Sequence, residues 1–188
     1  MLRFAAPEDA RALLDVYGQY IDTSVTFEYV LPTREEFRGR IEDISREYPY
    51  LVWEDSGVIL GYAYAHRFHE RAAYQWCAEL SVYLDSRAHG MGLGKKLYTA
   101  LMDILRAQGV RNVYGCITVP NDKSIALHKA LGFELVSRFH SAGYKAGAWH
   151  DVVWYEKSLA PETDPPEPIK SVRDIPAAAL ADILSKTI

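Results

Sequence analysis

Long apolar runs, an excess of basic residues and paired cysteines are all missing from this sequence of 188 residues. No stretch approaches the roughly 18 uninterrupted apolar residues of a membrane helix, and the N-terminus lacks the apolar core of a signal peptide. The net charge of −4 gives no general attraction for nucleic acid or a membrane surface. The two cysteines, Cys77 and Cys116, lie in separate apolar segments, which is typical of reduced thiols in a cytosolic protein. We therefore expect a cytoplasmic chain whose ligand is held by local donors.

Apolar periodicity predicts the element order β-α-α-β-β-β-α-β-α-β-β, an α+β fold with a mixed central sheet of about six to seven strands flanked by helices. Thr33 and Glu36 form a capping box that opens the second helix. A long strand is predicted over 74–84, a helix over 92–108 and a strand over 112–119. Because this unit runs strand, helix, strand, we expect a right-handed parallel crossover.

The rest of the chain is predicted to form a short helix capped by Asn121 and two strands, over 133–139 and 150–157, joined by a glycine-rich loop. Residues 160–173 have the composition of a proline-rich linker. Asp174 is expected to cap an amphipathic helix over 174–188 that packs on its own domain or on a second subunit. We therefore divide the chain into a domain over 1–159, the linker and a C-terminal helix.

The most informative segment passes from the end of a predicted strand into a helix and contains Gly90, Gly92 and Gly94. Helix N-termini expose unpaired N–H groups and carry about half a positive charge, and glycine lets a ligand approach the backbone. This geometry predicts a phosphate site on the backbone of residues 87–95. Two other phosphate motifs do not match. A P-loop would need glycine where His89 stands, and a dinucleotide fold would need an acid after the next strand.

The same segment resembles motif A of the GNAT acetyltransferases, in which a strand is followed by Gln/Arg-x-x-Gly-x-Gly/Ala and a helix. His89 takes the place of the usual Gln or Arg, and Arg87-x-x-Gly90-x-Gly92 offers a second alignment. A later stretch is similar to the family's next motif; it is Asn121-x-x-Ser124-x-x-x-His128-Lys129-x-x-Gly132-Phe133. Over residues 1–158 the chain is similar to the phosphinothricin and methionine sulfone or sulfoximine N-acetyltransferases.

This resemblance implies the GNAT fold, a homodimer, acetyl-CoA as co-substrate and acetylation of the amino group of a small amino-acid-like acceptor. It also implies which residues meet the cofactor. The expected cofactor-binding residues are Val82, Tyr83, Leu84, Arg87, His89, Gly90, Met91, Gly92, Leu93, Gly94, Lys95, Asn121, Ser124 and Lys129.

Transfer of an acetyl group from a thioester to an amine requires a base for the ammonium, a donor for the oxyanion and a proton for the departing thiolate. Glu79 is expected to be the base, directly or through a water, with apolar neighbours that raise the pKa of its carboxyl group. The N–H of Val82 is expected to face the oxyanion. His128 is expected to protonate the thiolate or orient water, with an ordinary interface histidine as the alternative.

Five residues are expected to line the acceptor pocket: Phe27, Glu28, Arg71, Tyr74 and Trp76. Arg71 would pair with an acidic group of the acceptor, and the aromatic residues would form the walls. For Trp76, a place in the core or in a dimer interface stays open. His66 and His69 are three residues apart on a strand-like run, so we expect them to point to opposite faces and predict no catalytic metal.

Two other functions remain open at this point. One is a module that binds acetyl-CoA without turnover, and the other is an acetyltransferase for a protein N-terminus or a polyamine. An open acidic groove would suit a polyamine, whereas Arg71 favours an anionic acceptor.

Overall fold

Seven strands form one sheet in the computed structural model, which describes residues 1–187. They are β1 (Leu2–Phe4), β2 (Tyr50–Asp55), β3 (Val58–Arg67), β4 (Cys77–Leu84), β5 (Asn112–Val119), β6 (Glu134–Lys145) and β7 (Ala148–Ser158). Their order across the sheet is β1-β2-β3-β4-β5-β7-β6. Neighbours pair antiparallel except β4 and β5, which are parallel, as the strand–helix–strand unit predicted. The predicted mixed sheet is confirmed.

Five helices accompany the sheet within the described residues. They are α1 (Ala10–Tyr17), α2 (Arg34–Glu47), α3 (Leu93–Gln108), α4 (Asp122–Ala130) and α5 (Ala177–Lys186). The predicted capping box opens α2, because the Thr33 hydroxyl accepts from Glu36 N–H and the Glu36 carboxylate accepts from Thr33 N–H. Gly109 ends α3 in the left-handed conformation, which glycine adopts without strain. None of these helices is long and apolar enough to cross a membrane.

The two faces of the sheet bury separate apolar clusters. Side chains alternate along a strand, so Ala63 of β3 packs on the α3 side while Tyr62 packs on α1 and α2. The same alternation on β4 sends Leu80 into the α3 core and leaves Glu79 on the other face, opposite His66 of β3. Polar side chains of β4 are thereby collected on one face near the middle of the sheet.

The start of β4, the end of β6 and the start of β7 differ from the prediction. β4 begins at Cys77, since Ala72–Tyr74 form a 3-10 turn before it. β6 and β7 run on into the predicted glycine-rich loop and turn at Ala146 and Gly147. Tyr144 and Trp149 lie opposite each other near that turn with ring centroids 5.3 Å apart, and such cross-strand aromatic pairs stabilise a hairpin.

The C-terminal segment packs on the rest of its own chain. Lys170 N–H donates to the Gln108 carbonyl, and the Gln108 side-chain amide donates to the Lys170 carbonyl, both at 2.8 Å. α5 then lies against α3 and β1. It begins at Ala177 and not at Asp174, because Asp174 ends a 3-10 turn and Pro176 precedes the helix. Ile188, the last residue of the predicted helix, lies outside the described residues.

Candidate active site

A cleft opens in the centre of the sheet where β4 and β5 diverge. The two strands pair at three positions, Cys77 with Asn112, Ala78 with Val113 and Glu79 with Tyr114. β4 continues to Leu84 and β5 to Val119, and a cavity of about 60 Å³ lies between them. Its lining residues are Val25, Leu80, Ser81, Val82, Tyr83, Tyr98, Cys116, Ile117, Thr118, Asn121, Ser124 and His128.

The N-terminus of α3 lies at the end of the β4 arm of this cleft. Gly92 caps the helix with φ +76°, and Gly90 has φ +80°. A Cβ on either glycine would meet no neighbouring atom within 4 Å, so space does not require glycine here. The left-handed backbone does, because other residues adopt it only with strain. Because Gly92 has no side chain, the cap itself supplies no acceptor to the first amides of α3. A helix N-terminus of this kind is suited to bind an anion, and it is the segment for which the sequence predicted a phosphate site.

Two residues that the sequence analysis missed brace this loop. Asp85 accepts from the Arg87 N–H and from the Arg87 guanidinium at Nε and Nη2, each at 2.8–2.9 Å. The hydrogen bonds from Arg87 hold the pKa of Asp85 well below its usual range. Gln19 donates to Asp85 at 3.1 Å and accepts from Ser86 N–H at 2.9 Å. The Asp-x-Arg spacing is the local signal for this turn, whereas the contact of Gln19 across 66 residues has none.

Tyr20 is a third residue that the sequence analysis did not identify. Its hydroxyl donates to the Leu84 carbonyl at 2.5 Å, and Leu84 N–H approaches the same hydroxyl at 3.4 Å. The ring of His89 lies beside it, with Nε2 3.2 Å from the hydroxyl oxygen. Tyr20 thus joins the end of β4 to the loop that the GNAT resemblance assigns to the cofactor.

The backbone of β4 directs an N–H group into the cleft. Asp85 N–H donates to Leu60 O on the β3 side, whereas Leu84 N–H points the opposite way, toward Tyr20. Backbone donors alternate sides along a strand, so Val82 N–H points the same way as that of Leu84. Since β5 has diverged at this level, Val82 N–H faces the cleft.

Glu79 lies at the vertex of the cleft, the last position at which β4 and β5 pair. Burial raises the pKa of its carboxyl group, and the positive charges of His66 and His69 partly oppose that rise. The sequence analysis placed both histidines on one strand and therefore expected them to point to opposite faces. That placement is wrong, because β3 ends at Arg67 and His69 follows in the loop. The pKa of Glu79 is therefore closer to neutral pH than that of an exposed glutamate, which is the property required of a general base.

His128 is buried on α4 and lines the cleft. Its Nδ1 lies 2.8 Å from the Ser124 carbonyl, which only accepts, so Nδ1 carries a proton. Burial lowers the pKa of His128, and the ring is neutral with Nε2 as an acceptor. Nε2 has no hydrogen-bond partner among the described residues. The ring fits against β5 because residue 115 is glycine; a Cβ there would overlap with Nε2.

The remaining cofactor-motif residues surround the same loop. Asn121 caps α4 by accepting from Ser124 N–H at 3.2 Å, and both residues line the cleft. Gly94 and Leu93 are buried in the first turn of α3, and a Cβ on Gly94 would lie 3.2 Å from Leu127 of α4. The side chains of Met91, Lys95 and Lys129 are exposed. Of the predicted cofactor residues, Val82, Tyr83, Asn121 and Ser124 line the cleft. The others lie at the end of β4, in the glycine loop, in the first turn of α3 and, for Lys129, in the last turn of α4.

Part of the predicted acceptor pocket lies on the Glu79 face. Glu28 forms an ion pair with Arg40 of α2, with Oε1 and Nη1 2.6 Å apart. Phe27 packs over β6, where a Cβ on Gly143 would overlap with its ring. The Tyr17 and Thr26 hydroxyl oxygens are 2.5 Å apart, and the Lys145 ammonium donates to Thr26 O at 2.5 Å. These contacts fix the loop that carries Phe27 and Glu28.

Arg71, Tyr74 and Trp76 precede β4 and are not gathered into one wall. Arg71 and Tyr74 are exposed, and the Tyr74 ring lies edge-on to His69 at 4.7 Å between centroids. Trp76, expected in the acceptor pocket, instead donates from Nε1 to Glu167 O at 2.7 Å. It lines a separate cavity under the proline-rich linker, because β4 starts one residue later and the tail crosses at this end. Within residues 1–187, no three His, Cys, Asp or Glu side chains gather to hold a metal ion.

Known proteins are similar to this chain in sequence. A family model described as the acetyltransferase (GNAT) domain matches residues 2–154. The phosphinothricin N-acetyltransferase of Streptomyces viridochromogenes is 39% identical over 175 residues, which cover 93% of this chain and 95% of that protein. The L-methionine sulfoximine/L-methionine sulfone acetyltransferase of Salmonella typhimurium is 30% identical over 169 residues, covering 84% and 94%.

A solved structure agrees with these sequence matches. The crystal structure of the phosphinothricin acetyltransferase of Sinorhizobium meliloti in complex with AcCoA superimposes with a TM-score of 0.84 at 34% identity. The match covers 93% of this chain and 98% of that one. The predicted fold and family are therefore confirmed. By its sheet, its glycine-capped helix and these matches, the chain belongs to the GNAT acetyltransferase family.

Proposed function

We propose that this protein transfers the acetyl group of acetyl-CoA to the primary amine of a small amino-acid-like acceptor of the phosphinothricin, methionine sulfone or methionine sulfoximine type. One observation carries the proposal. Glu79, a buried carboxyl group with a raised pKa, lies at the vertex of a cleft whose other end is the uncovered N-terminus of α3. This geometry suits a thioester held at one end of the cleft and an amine deprotonated at the other.

The cofactor is held mainly by backbone groups in this proposal. The pyrophosphate binds amides at the α3 end of the segment from Arg87 to Lys95, because the α3 N-terminus attracts negative charge and the Arg87 and Met91 N–H groups are bonded within the loop. Tyr83 and Leu84 of β4 and Asn121 and Ser124 of α4 flank the rest of the cofactor. The Arg87 N–H and the Arg87 guanidinium both donate to Asp85, so Arg87 contributes by holding the loop in shape.

The chemical step is direct attack by the acceptor amine on the thioester carbonyl. Glu79 first removes a proton from the ammonium, directly or through a water, which gives the nitrogen its free electron pair. The carbonyl oxygen becomes negative as the C–N bond forms, and Val82 N–H donates to it. The C–S bond then breaks and the thiolate leaves. The attacking nitrogen is positively charged once its bond to carbon has formed, and it must lose a second proton. We propose that Nε2 of His128, the nitrogen without a proton in the neutral ring, accepts this proton and passes it to the departing thiolate, which leaves as the thiol.

The acceptor would lie on the face of the sheet that carries Glu79. Phe27 and Tyr74 supply apolar surface for its side chain, and Glu28 is held in place by Arg40. Arg71, exposed beside Tyr74, is proposed to pair with the acidic group of the acceptor. Trp76 has no role in this proposal, since its indole N–H is bonded to the linker.

A thiol-release assay over a panel of amines tests the proposal. With acetyl-CoA, we expect CoA release with phosphinothricin, methionine sulfone or methionine sulfoximine, and much less with spermidine or a peptide N-terminus. Binding of acetyl-CoA without release by any amine would support a non-catalytic module instead. Faster turnover of spermidine or of a peptide would assign the enzyme to one of the other acceptor classes.

The proposal includes a homodimer that works in the cytoplasm. β6 is an outer strand of the sheet, and its large apolar side chains are exposed; Phe139 has 53% of its surface accessible. Trp149 at the end of the β6–β7 hairpin is 65% exposed. Such a surface on a strand edge favours association with a second copy. Light scattering of the purified chain, compared with a Phe139→Asp variant, measures this. The free thiols Cys77 and Cys116 support a reducing compartment.

We further propose that residues 1–159 carry the activity and that the tail has a structural role. The tail contacts α3 near its C-terminus, far along the helix from the proposed phosphate site. A chain ending at residue 159 that keeps the KM for acetyl-CoA but melts at lower temperature would support this division.

A further inference from the structure

His66 and Glu79 form an isolated pair on the acceptor face of the sheet. They are directly opposite each other in the antiparallel register of β3 and β4, so their side chains leave the sheet on the same face. The Nε2 atom of His66 lies 4.0 Å from Oε2 of Glu79. That distance is too long for a direct hydrogen bond, and one bridging water or a small side-chain rotation would be enough to pass a proton across it.

The ring of His66 is oriented so that Nε2 faces Glu79. Nδ1 lies 3.0 Å from the Arg67 carbonyl oxygen, which only accepts hydrogen bonds, so Nδ1 keeps its proton. In the neutral ring Nε2 is therefore the nitrogen with the free lone pair, and it is the one nearest Glu79. The His66 side chain is 37% exposed and that of Glu79 is 21% exposed, so His66 is the partner with better access to solvent.

Besides His69, the titratable groups that act on the pair are two tyrosines and a cysteine, which are kept protonated by burial. Tyr64 faces the pair from β3 and Cys116 from β5, whereas Tyr98 of α3 lies on the other face of the sheet, within electrostatic range of Glu79. Burial raises the pKa of both tyrosines and raises that of Cys116 to about 12. His69 follows β3 and also acts on Glu79. Arg67 points to the opposite face and pairs with Glu47 of α2.

We propose that His66 relays the proton of each turnover from Glu79 to solvent. The inference rests on the proposed role of Glu79 as base. An N–H bond of the acceptor ammonium breaks and an O–H bond forms on Glu79. That O–H bond then breaks as an N–H bond forms at Nε2 of His66, and the imidazolium releases the proton to water or buffer. Glu79 returns to its carboxylate form and no other atom changes partner. His66 acts through Glu79 without touching the acceptor, and is a positioning residue in that sense.

The test compares His66→Gln with His69→Gln, which removes the other imidazole near Glu79. At low buffer concentration, we expect kcat of His66→Gln to fall by about tenfold with an unchanged KM for the acceptor. Added imidazole should restore the rate, because it accepts the proton from Glu79 in place of the missing side chain. The acid limb of kcat/KM should move to higher pH, since removing a cation near Glu79 raises its pKa. His69→Gln should show neither the loss in kcat nor the rescue.

Two outcomes would overturn the relay while leaving the proposed function intact. One is a His66→Gln enzyme with wild-type kcat at low buffer, and the other is a loss that imidazole does not restore. An NMR measurement on the unmodified protein needs no variant to fold: the neutral His66 ring should carry its proton on Nδ1, and the Nε2-protonated tautomer would contradict the relay. If Glu79→Gln is as active as the wild type, the proposed base itself is wrong, which is a different result from loss of the relay alone.

Discussion

The two sides of the cleft are built from different parts of the polypeptide. The cofactor side, residues 82–95 with the start of α4, is proposed to bind through amides of one continuous segment, held by glycines at positive φ. The acceptor side, the face of the sheet that carries Glu79, uses side chains that are far apart in the sequence. Glu28 meets Arg40 across 12 residues, His66 meets Glu79 across the β3–β4 register, and Phe27 meets Gly143 of β6.

Because of this difference, we expect the two sides to respond differently to amino-acid substitutions. A backbone site keeps its function when side chains change, provided that the φ angles and the helix start are preserved. A side-chain site changes its specificity with single substitutions and keeps its fold. Variants of the acceptor side should therefore affect acceptor kinetics alone, whereas variants of the cofactor side should act through the backbone.

The largest effect is expected for Glu79→Gln, which keeps the shape of the side chain and removes the base. We expect kcat/KM for the acceptor to fall by roughly 10²- to 10⁴-fold, while the Kd for acetyl-CoA stays at the wild-type value. In the wild type, kcat/KM should fall as pH drops and Glu79 becomes protonated, with a midpoint above the ordinary range for glutamate because its pKa is raised. Steady-state kinetics over pH measure kcat/KM for the acceptor, and calorimetry measures the Kd for acetyl-CoA. If Glu79→Gln weakened acetyl-CoA binding by as large a factor as it lowered kcat/KM, the two sides of the cleft would not be independent.

The sequence predicted the cofactor side better than the acceptor side for a physical reason. A glycine loop before an amphipathic helix is a local pattern, and the first turn of α3 lies where the pattern indicated. The bracing by Tyr20 and Gln19 crosses more than 60 residues, and no local pattern reports it. Trp76 looked like a pocket aromatic from its neighbours Arg71 and Tyr74, but the path of the linker decides its contact. The extension of β6 and β7 through the glycine-rich segment was missed because glycine is typical of loops.

The next largest effect is expected from two glycines that lie directly against a side chain, Gly115 beside His128 and Gly143 beside Phe27. Gly115→Ala places a Cβ against Nε2 of His128, which is 2% exposed and has no room to move. We expect kcat to fall by roughly 10²-fold from the displaced ring. Gly143→Ala places a Cβ against the Phe27 ring, which is 36% exposed and free to swing outward. Its effect should be confined to the KM for the acceptor.

Thermal melting separates these changes from a general loss of stability. Overpacking at Gly115 should cost about 1–3 kcal/mol of unfolding free energy, and the cost at Gly143 should be smaller because its neighbour yields. An unchanged kcat in a folded Gly115→Ala enzyme would remove His128 from the proposed chemistry.

A smaller effect is expected from Gly92→Ala, with Gly57→Ala as its matched control. Both glycines have φ near +80°, and a Cβ on either meets nothing within 4 Å, so the two substitutions carry the same backbone strain. Each should lower the unfolding free energy by about 1 kcal/mol. Gly92→Ala should also weaken acetyl-CoA binding by roughly tenfold if the strain is relieved by moving the first amides of α3, since 1.4 kcal/mol corresponds to that factor. Gly57→Ala should leave the Kd unchanged, and equal affinities in the two variants would contradict a backbone-held phosphate.

The smallest effect on turnover is expected for Trp76→Phe, although Trp76 lies one residue before β4. Phenylalanine keeps the apolar contact under the linker and removes the N–H group that donates to Glu167 O. We expect a loss of about 1 kcal/mol in unfolding free energy and no change in the KM for the acceptor. Denaturant unfolding and acceptor kinetics measure the two quantities on one protein sample. A raised KM for the acceptor with unchanged stability would show that Trp76 contacts the acceptor, as the sequence predicted, and that its contact with the linker is not its main role.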